Sequence, residues 1–456
     1  MQTRLVAILL AGVCAMCASA MPARAGEDPA LVEAERLMAQ KDYKRAEPLL
    51  RDFLAKNPSN ARAHGNMALA LLGLKRKADA VAEGRLGAVF APEVPEARYI
   101  YGLALSADGR HVDAAREFRK ADELRPGQAR ILGALAAAYA AADDERTAAT
   151  YARLIAAAPK DVDARAELAD YYWGVEKYDE GNRTMDDAIK AFPGNAGLLR
   201  RYGRALSAQE RYTDAAARLA EARRLGATDT GTLDLLGNAL GQSGDVAAAL
   251  EAFDAAIAAD GADPAPRHDA GRLLVAHGQP ARALPYLEGA ARLAPSDGEV
   301  QLDLGRACEG VDRLSDAETA YRAAIRLSPK LSRPHFALGS LLNRTGRREE
   351  GARELAIHRT LFDEASARFS ETEQRGAEMS LAWRELQTGK AADALARFRS
   401  MPQSAPALYG QASALSRLGR HRDAVAALEQ ARSLAPADQR IEALLVAERD
   451  AARDAP

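Results

Sequence analysis

The chain has 456 residues, with 62 lysines and arginines against 64 aspartates and glutamates. This near-neutral balance argues against nucleic acid as a ligand, because it leaves no excess of positive charge for phosphates. Aromatic residues make up only 5% of the chain, alanine is abundant, and no long stretch alternates the β-branched residues that favour strands, so the composition predicts an all-helical protein.

The first 25 residues have the features of a bacterial secretion signal. Arg4 precedes an uncharged apolar run from Leu5 to Ala20, and Ala23-Arg24-Ala25 fits the small-x-small pattern cut by signal peptidase. We expect cleavage after Ala25 and a periplasmic protein; an uncleaved membrane anchor is the alternative. The run is shorter than the roughly 20 residues of a membrane-spanning helix and no second run follows, so no stable membrane span is expected after cleavage.

Cysteine content adds one constraint. Cys14 and Cys17 lie in the predicted signal, which leaves Cys308 alone in the mature chain. A single cysteine cannot form an intrachain disulfide, so the fold cannot depend on oxidation. We interpret Cys308 as a small core residue.

A spacing of 34 residues recurs along the chain. It separates Pro58, Pro92 and Pro126, and again separates Pro295 from Pro329. Between the prolines lie two amphipathic, alanine-rich stretches, so each unit is predicted to be a pair of helices joined by a turn.

Two small-residue positions recur within this unit. The first is occupied by Ala34, Ala68, Gly102, Ala136, Ala169, Gly203, Gly237, Gly271, Gly305, Gly339, Ala382 and Ala412. The second, twelve residues further on, is also small in almost every unit. Six glycines inside helices would lower stability by about 6 kcal/mol in total, so we expect the paired helices to approach closely at this position, where a larger side chain would not fit.

This pattern resembles the tetratricopeptide repeat family, whose motif has small residues at positions 8 and 20, a leucine or aromatic residue at 24 and proline at 32. The resemblance implies an all-α, right-handed superhelix (a solenoid) of about twelve helical hairpins with a C-terminal capping helix. We predict repeats 1–10 in residues 26–363, a helix extension in 364–374, repeats 11–12 in 375–436, and the capping helix and tail in 437–456. The extension follows from a step of 43 residues between Gly351 and Ala394.

The resemblance also implies a concave face lined by positions 2, 5, 6, 9, 12 and 13 of the first helix of each repeat. In repeats 1–3 these positions predict an apolar lining that would dock an amphipathic helix or hydrophobic peptide of a partner. The alternative is that these side chains pack between neighbouring helices. The candidate residues are Leu31, Leu69, Leu72, Tyr99, Ile100 and Leu103.

In repeats 5 and 6 the same positions are polar or aromatic. Arg200, Arg201 and Arg204 would bind an acidic segment or a carboxylate through their forked guanidinium groups. The alternative is that they pair with Glu167 and Asp170 on the adjacent helix. Trp173 is also predicted to face the groove, which leaves a glycan or small molecule as an alternative ligand.

Signatures of catalysis are missing from the sequence. It contains no HExxH, GxxxxGK[ST] or GxSxG motif, and its seven histidines lack the spacing of metal ligands. The nearest polar constellation joins His268, Asp269 and Arg272 with Asp303 and Arg306, and we interpret it as a charged network in the groove.

The sequence therefore predicts a non-enzymatic scaffold of the bacterial cell envelope that binds a protein or peptide, with no cofactor and no metal. The alternative is a groove-binding protein for a small molecule or glycan, for example in polysaccharide export.

Overall fold

The computed structural model of the protein describes residues 28–454 apart from Ala437, and every regular element in this part of the chain is an α-helix. The all-α prediction is confirmed. The predicted signal segment, with Cys14 and Cys17, lies outside the described residues.

Twenty-four helices follow one another in the described residues. They are α1 (Pro29–Ala39), α2 (Tyr43–Lys56), α3 (Ala61–Gly73), α4 (Lys77–Phe90), α5 (Pro95–Ala107), α6 (His111–Leu124), α7 (Ala129–Ala141), α8 (Thr147–Ala157), α9 (Val162–Gly174), α10 (Tyr178–Ala191), α11 (Ala196–Ala208), α12 (Tyr212–Arg224), α13 (Thr230–Gln242), α14 (Val246–Ala259), α15 (Ala265–Ala276), α16 (Pro280–Leu293), α17 (Gly298–Gly310), α18 (Leu314–Leu327), α19 (Ser332–Arg344), α20 (Arg348–Gln387), α21 (Ala391–Ser400), α22 (Ala405–Arg417), α23 (His421–Leu434) and α24 (Gln439–Asp454).

Consecutive helices pair as helix A and helix B of one repeat, and a left-handed residue turns the chain between them. In repeat 7, Gly244 has φ +95°, and Asp245 then caps α14 by accepting a hydrogen bond from the backbone N–H of Ala248 at 3.1 Å. The residue at this point, motif position 15, has positive φ in all twelve repeats: Lys41, Lys75, Gly109, Asp143, Glu176, Glu210, Gly244, Gly278, Asp312, Gly346, Gly389 and Gly419. A left-handed residue after helix A satisfies the last carbonyls of that helix and redirects the chain.

The two helices of a hairpin meet at the first small position. A Cβ on Gly237 would lie 2.6 Å from Cε1 of Phe253, and a Cβ on Gly305 would lie 2.5 Å from the ring of Tyr321. These aromatic residues stand at motif position 24 of helix B and are almost fully buried. The predicted close approach of helix A to helix B is therefore confirmed.

The described chain forms two compact units. Unit 1 contains the residues up to Lys177 together with those from Arg375 onwards, and unit 2 contains Tyr178–Gln374. In unit 1, one apolar core runs through repeats 1–4 and another joins repeats 11 and 12 to α24. In unit 2 the core follows the stacked hairpins of repeats 7–10.

Two departures from a regular repeat have local causes. In repeat 4, which is one residue shorter, Thr147 is fully buried at the second small position, while Ala148 is only partly buried. After repeat 10, α20 runs for 40 residues and joins helix B of repeat 10 to helix A of repeat 11 without a break. Residues 352–375 contain neither proline nor glycine, so nothing in this segment ends the helix.

The last helix closes the C-terminal core. Ile441 and Leu445 of α24 are fully buried, and the carboxylate of Glu448, only 4% exposed, accepts a hydrogen bond from the Ser416 hydroxyl at 2.6 Å and pairs with His421 at 2.8 Å. A buried carboxylate with two partners fixes the helix against repeat 12. No helix in residues 28–454 is both long and apolar enough to cross a bilayer.

Candidate partner-binding face

The apolar residues predicted to line the groove in repeats 1–3 lie mainly in the core of unit 1. Leu69, Tyr99 and Leu103 are 0% exposed, Leu31 and Ile100 are each 7% exposed, and Leu72 is half-buried against the same cluster. The five side chains other than Leu72 therefore do not line the groove as predicted. A partner could reach them only by opening the core.

The cause is contact between neighbouring repeats. Ile100 packs so closely on Gly65 of the preceding helix A that a Cβ there would lie 3.0 Å from its Cδ1. The guanidinium of Arg130, from the following helix A, lies 4.6 Å above the ring of Tyr99, and burial raises the pKa of the Tyr99 phenol to about 12. Packing between helices, the alternative drawn from the sequence, describes these positions.

The polar candidates of repeats 5 and 6 fall in different units. Trp173 is half-buried at the end of α9 in unit 1, and the three arginines lie on α11 in unit 2. Arg200 and Arg204 are exposed, Arg201 is half-buried, and a guanidinium nitrogen of Arg200 lies 3.7 Å from Oδ1 of Asp229. The pairing of the three arginines with Glu167 and Asp170, and the contact of Trp173 with a glycan, stay predictions.

The histidine–carboxylate constellation noted in the sequence is a hydrogen-bonded network across α13, α15 and α17. Nε2 of His268 lies 3.0 Å from Oδ2 of Asp303, and Arg306 donates to Oδ1 of the same carboxylate at 3.2 Å. Between α13 and α15, Asn238 donates to Oδ2 of Asp269 at 2.7 Å, and Arg272 donates to Oδ1 of the same carboxylate at 2.7 Å. Each shared carboxylate thus links one helix A to the next.

We call this surface of unit 2 the polar A face. It comprises the helix-A residues Arg200, Arg204, Asp234, Asn238, His268, Asp269, Arg272, Asp303 and Arg306.

Asp234 is a member of this face that sequence reasoning missed. Its Oδ1 is shielded from solvent and has no hydrogen-bond partner, while its Oδ2 lies 3.4 Å from Nδ2 of Asn238. Burial, and then the negative charge of Asp269, raises the pKa of Asp234 to about 7. The signal available in the sequence was its motif position: Asp234 stands at position 5 of helix A, as His268 does.

The face is layered by charge. The Asp303 and Asp269 side chains are 5% and 17% exposed, whereas the Arg306 and Arg272 side chains that pair with them are 39% and 54% exposed. The carboxylates form the shielded layer and the guanidinium groups the outer one. Such a surface can pair charges and donate hydrogen bonds to an anionic group.

The described residues also bear on metal binding and on thiol chemistry. In the described residues, no group of three or more histidines, cysteines, aspartates or glutamates could hold a metal ion. Cys308 is 2% exposed, and burial raises the pKa of its thiol, which disfavours the reactive thiolate.

Comparison with known families agrees with the repeat architecture. One tetratricopeptide repeat model matches residues 31–89, 85–129, 166–230 and 268–332, and a second matches residues 405–438. The chain belongs to the tetratricopeptide repeat family. Membership of this family supports a protein-interaction scaffold.

Solved structures give partial matches. MamA (residues 41 to the end) from Desulfovibrio magneticus RS-1 is 25% identical with a TM-score of 0.35, over 37% of this chain and 96% of that one. YrrB, a tetratricopeptide repeat protein described as having an unusual peptide-binding site, is 18% identical with a TM-score of 0.36, over 41% of this chain and 96% of that one. A comparison with curated protein sequences gave no significant match.

Proposed function

We propose that this protein is a non-enzymatic scaffold that holds an acidic segment of a partner protein on the polar A face. The observation that carries the proposal is the layering of charge: shielded carboxylates orient arginines whose guanidinium groups remain exposed. Arg204 and Arg272 stand on different helices of this face and both are exposed. Arginine forks pair with carboxylates in two parallel hydrogen bonds, so a segment rich in aspartate or glutamate suits this surface.

Affinity capture from a native envelope fraction tests this proposal. The double variant Arg204→Glu/Arg272→Glu should reduce partner capture by about tenfold or more, because it replaces two attractive charge pairs with repulsive ones. Arg326→Glu is the matched control, since this residue is exposed on helix B of repeat 9. Capture should also weaken as salt rises from about 0.05 to 0.5 M. Partner capture that is unchanged in the double variant and insensitive to salt would refute the proposal.

We also propose that the scaffold works in the periplasm. Support comes from Arg4, the apolar run that follows it and the small residues Ala23 and Ala25. The test is fractionation of cells that express the full chain, with N-terminal sequencing of the product. A periplasmic protein that begins at Gly26 is the expected result, and a full-length cytoplasmic protein would contradict it.

A further inference from the structure

Part of α20 is exposed to solvent around its whole circumference. Residues 362–377 are all exposed, although a helix in a folded protein ordinarily covers one apolar face. Phe362 is 55% exposed and Phe369 is 65% exposed. The two phenylalanines are seven residues apart, so they lie on the same face of the helix, about 10 Å from one another.

The apolar surface extends onto repeat 10. Phe336 of α19 is 53% exposed, its ring lies 5.2 Å from that of His358, and His358 lies 5.9 Å from Phe362. We call Phe336, His358, Phe362 and Phe369 the aromatic patch; all four belong to unit 2.

Comparison with other repeats shows that this patch is uncovered. Phe336 occupies motif position 5 of helix A, where Tyr99 and Leu302 are 0% exposed. Arg130 of the next helix A covers Tyr99 in repeat 3. After repeat 10 the chain continues straight along α20 and does not turn back, so no helix A follows Phe336 at the usual interval.

Two residues of opposite charge flank the phenylalanines. Arg359 lies one turn before Phe362, and Glu373 lies one turn after Phe369. Fourteen residues of helix, about 21 Å, separate Arg359 from Glu373, so these two side chains cannot pair within one chain. Two copies placed antiparallel bring each arginine beside the glutamate of the other copy.

We propose that two copies of this chain pair antiparallel through residues 357–374 of α20, about a two-fold axis between Ala365 and Ser366. In this arrangement Phe362 of each copy packs on Phe369 of the other. Ala365 and Ser366 are small, so the two helices can approach closely at the axis. One patch that serves both copies is the rule for two-fold dimers.

The expected dimer is weak. Two crossing helices bury less surface than the roughly 1,600 Å² of a standard interface. Dissociation in the micromolar range follows, so self-association should be visible between about 1 and 100 µM.

Sedimentation equilibrium of the purified protein tests the pairing. Phe362→Ser/Phe369→Ser should weaken dimerisation by about tenfold or more, because the central apolar contacts of the interface are lost. Val89→Ser is the matched control, since Val89 is 62% exposed on α4 in unit 1, and it should leave the dimer unchanged.

Charge exchange identifies the antiparallel register. Arg359→Glu and Glu373→Arg should each weaken the dimer, and the combined variant should restore it, because each new pair again joins opposite charges across the two copies. Restoration also shows that the loss in the single variants comes from the broken charge pair. A wild-type protein that stays monomeric at about 100 µM, a dimer that is insensitive to the loss of both phenylalanines, or a combined variant weaker than either single one would overturn the proposal.

Discussion

Replacing Gly237 by alanine should destabilise unit 2, although alanine is the better helix former. A Cβ at this position would lie 2.6, 2.7 and 2.9 Å from Cε1, Cδ1 and Cζ of Phe253, distances that real Cβ atoms do not show. Phe253 is 1% exposed, so its ring cannot move into solvent to make room. The helices α13 and α14 must separate slightly, or the ring must leave its rotamer.

The magnitude follows from two opposing effects. Alanine in place of glycine inside a helix contributes about 1 kcal/mol, and overpacking a core costs about 1–3 kcal/mol. The net loss is then about 1 kcal/mol. A larger loss is not expected, because Ala34 occupies the equivalent position opposite Leu50 in repeat 1, where both residues are fully buried.

Urea unfolding followed by circular dichroism measures the change, and hydrogen exchange in α13 and α14 locates it. Gly376→Ala is the matched control: this glycine is also helical, but no neighbouring atom lies within 4 Å of the added Cβ, so only the gain in helix propensity remains. If Gly237→Ala stabilised the protein as much as Gly376→Ala does, the close helix contact would not explain the glycine.

Three further outcomes are expected. Asp234→Asn should raise the melting temperature at pH 8 but have little effect near pH 5. The folded-state pKa of Asp234 is raised to about 7, so between about pH 4 and 7 the folded protein keeps a proton that the unfolded chain has released, and stability falls as the pH rises through this range. Lys75→Gly should stabilise unit 1 by up to about 1 kcal/mol, because Lys75 has a φ of 61°, a left-handed conformation that glycine adopts without strain. Gly109→Ala, at a φ of 86° with no atom nearby, should lower the free energy of unfolding in the same urea titration. Cys308 should react with a thiol reagent only after unfolding, since its thiol is buried with a raised pKa; rapid labelling of the native protein would contradict this.

The hairpins could be predicted from sequence because the small residues are themselves the contact. Gly102 and Gly271 stand sixteen residues before Phe118 and Leu287, and their absent Cβ atoms would lie 2.6 and 2.4 Å from those side chains. A steric requirement this strict leaves a direct trace in the residue type. The repeat period and the number of repeats then follow from the spacing and the number of these small residues.

The turn within each hairpin left a weaker trace. All twelve repeats have positive φ at motif position 15, yet Lys41, Glu210 and Asp312 fill it as well as glycine does. A left-handed residue costs only about 1–2 kcal/mol, which the hairpin contacts outweigh. The residue type therefore does not reveal this conformation.

The predicted groove lining failed for a different reason. Residues such as Leu69 and Leu103 stand at positions that face both the groove and the neighbouring helix A, and residue type cannot decide between the two. In repeats 1–3 Leu69 and Leu103 pack against the neighbouring helix A, and both are 0% exposed. Burial there is set by the spacing of consecutive repeats, which a single repeat does not encode.

Motif position 6 shows how one scaffold separates stability from recognition. Ile100 occupies it as a core residue in repeat 3, whereas Asp269 and Asp303 occupy it within the polar A face. Ile100 packs on the preceding helix A, and each of the two carboxylates is instead hydrogen-bonded to a residue of the preceding helix A. An apolar contact leaves nothing for a charged ligand to bind, while a shared carboxylate orients an arginine towards solvent. A hydrogen-bonded carboxylate at position 6 therefore marks the repeats in which unit 2 can bind a charged segment, and this criterion selects repeats 8 and 9 over repeat 3.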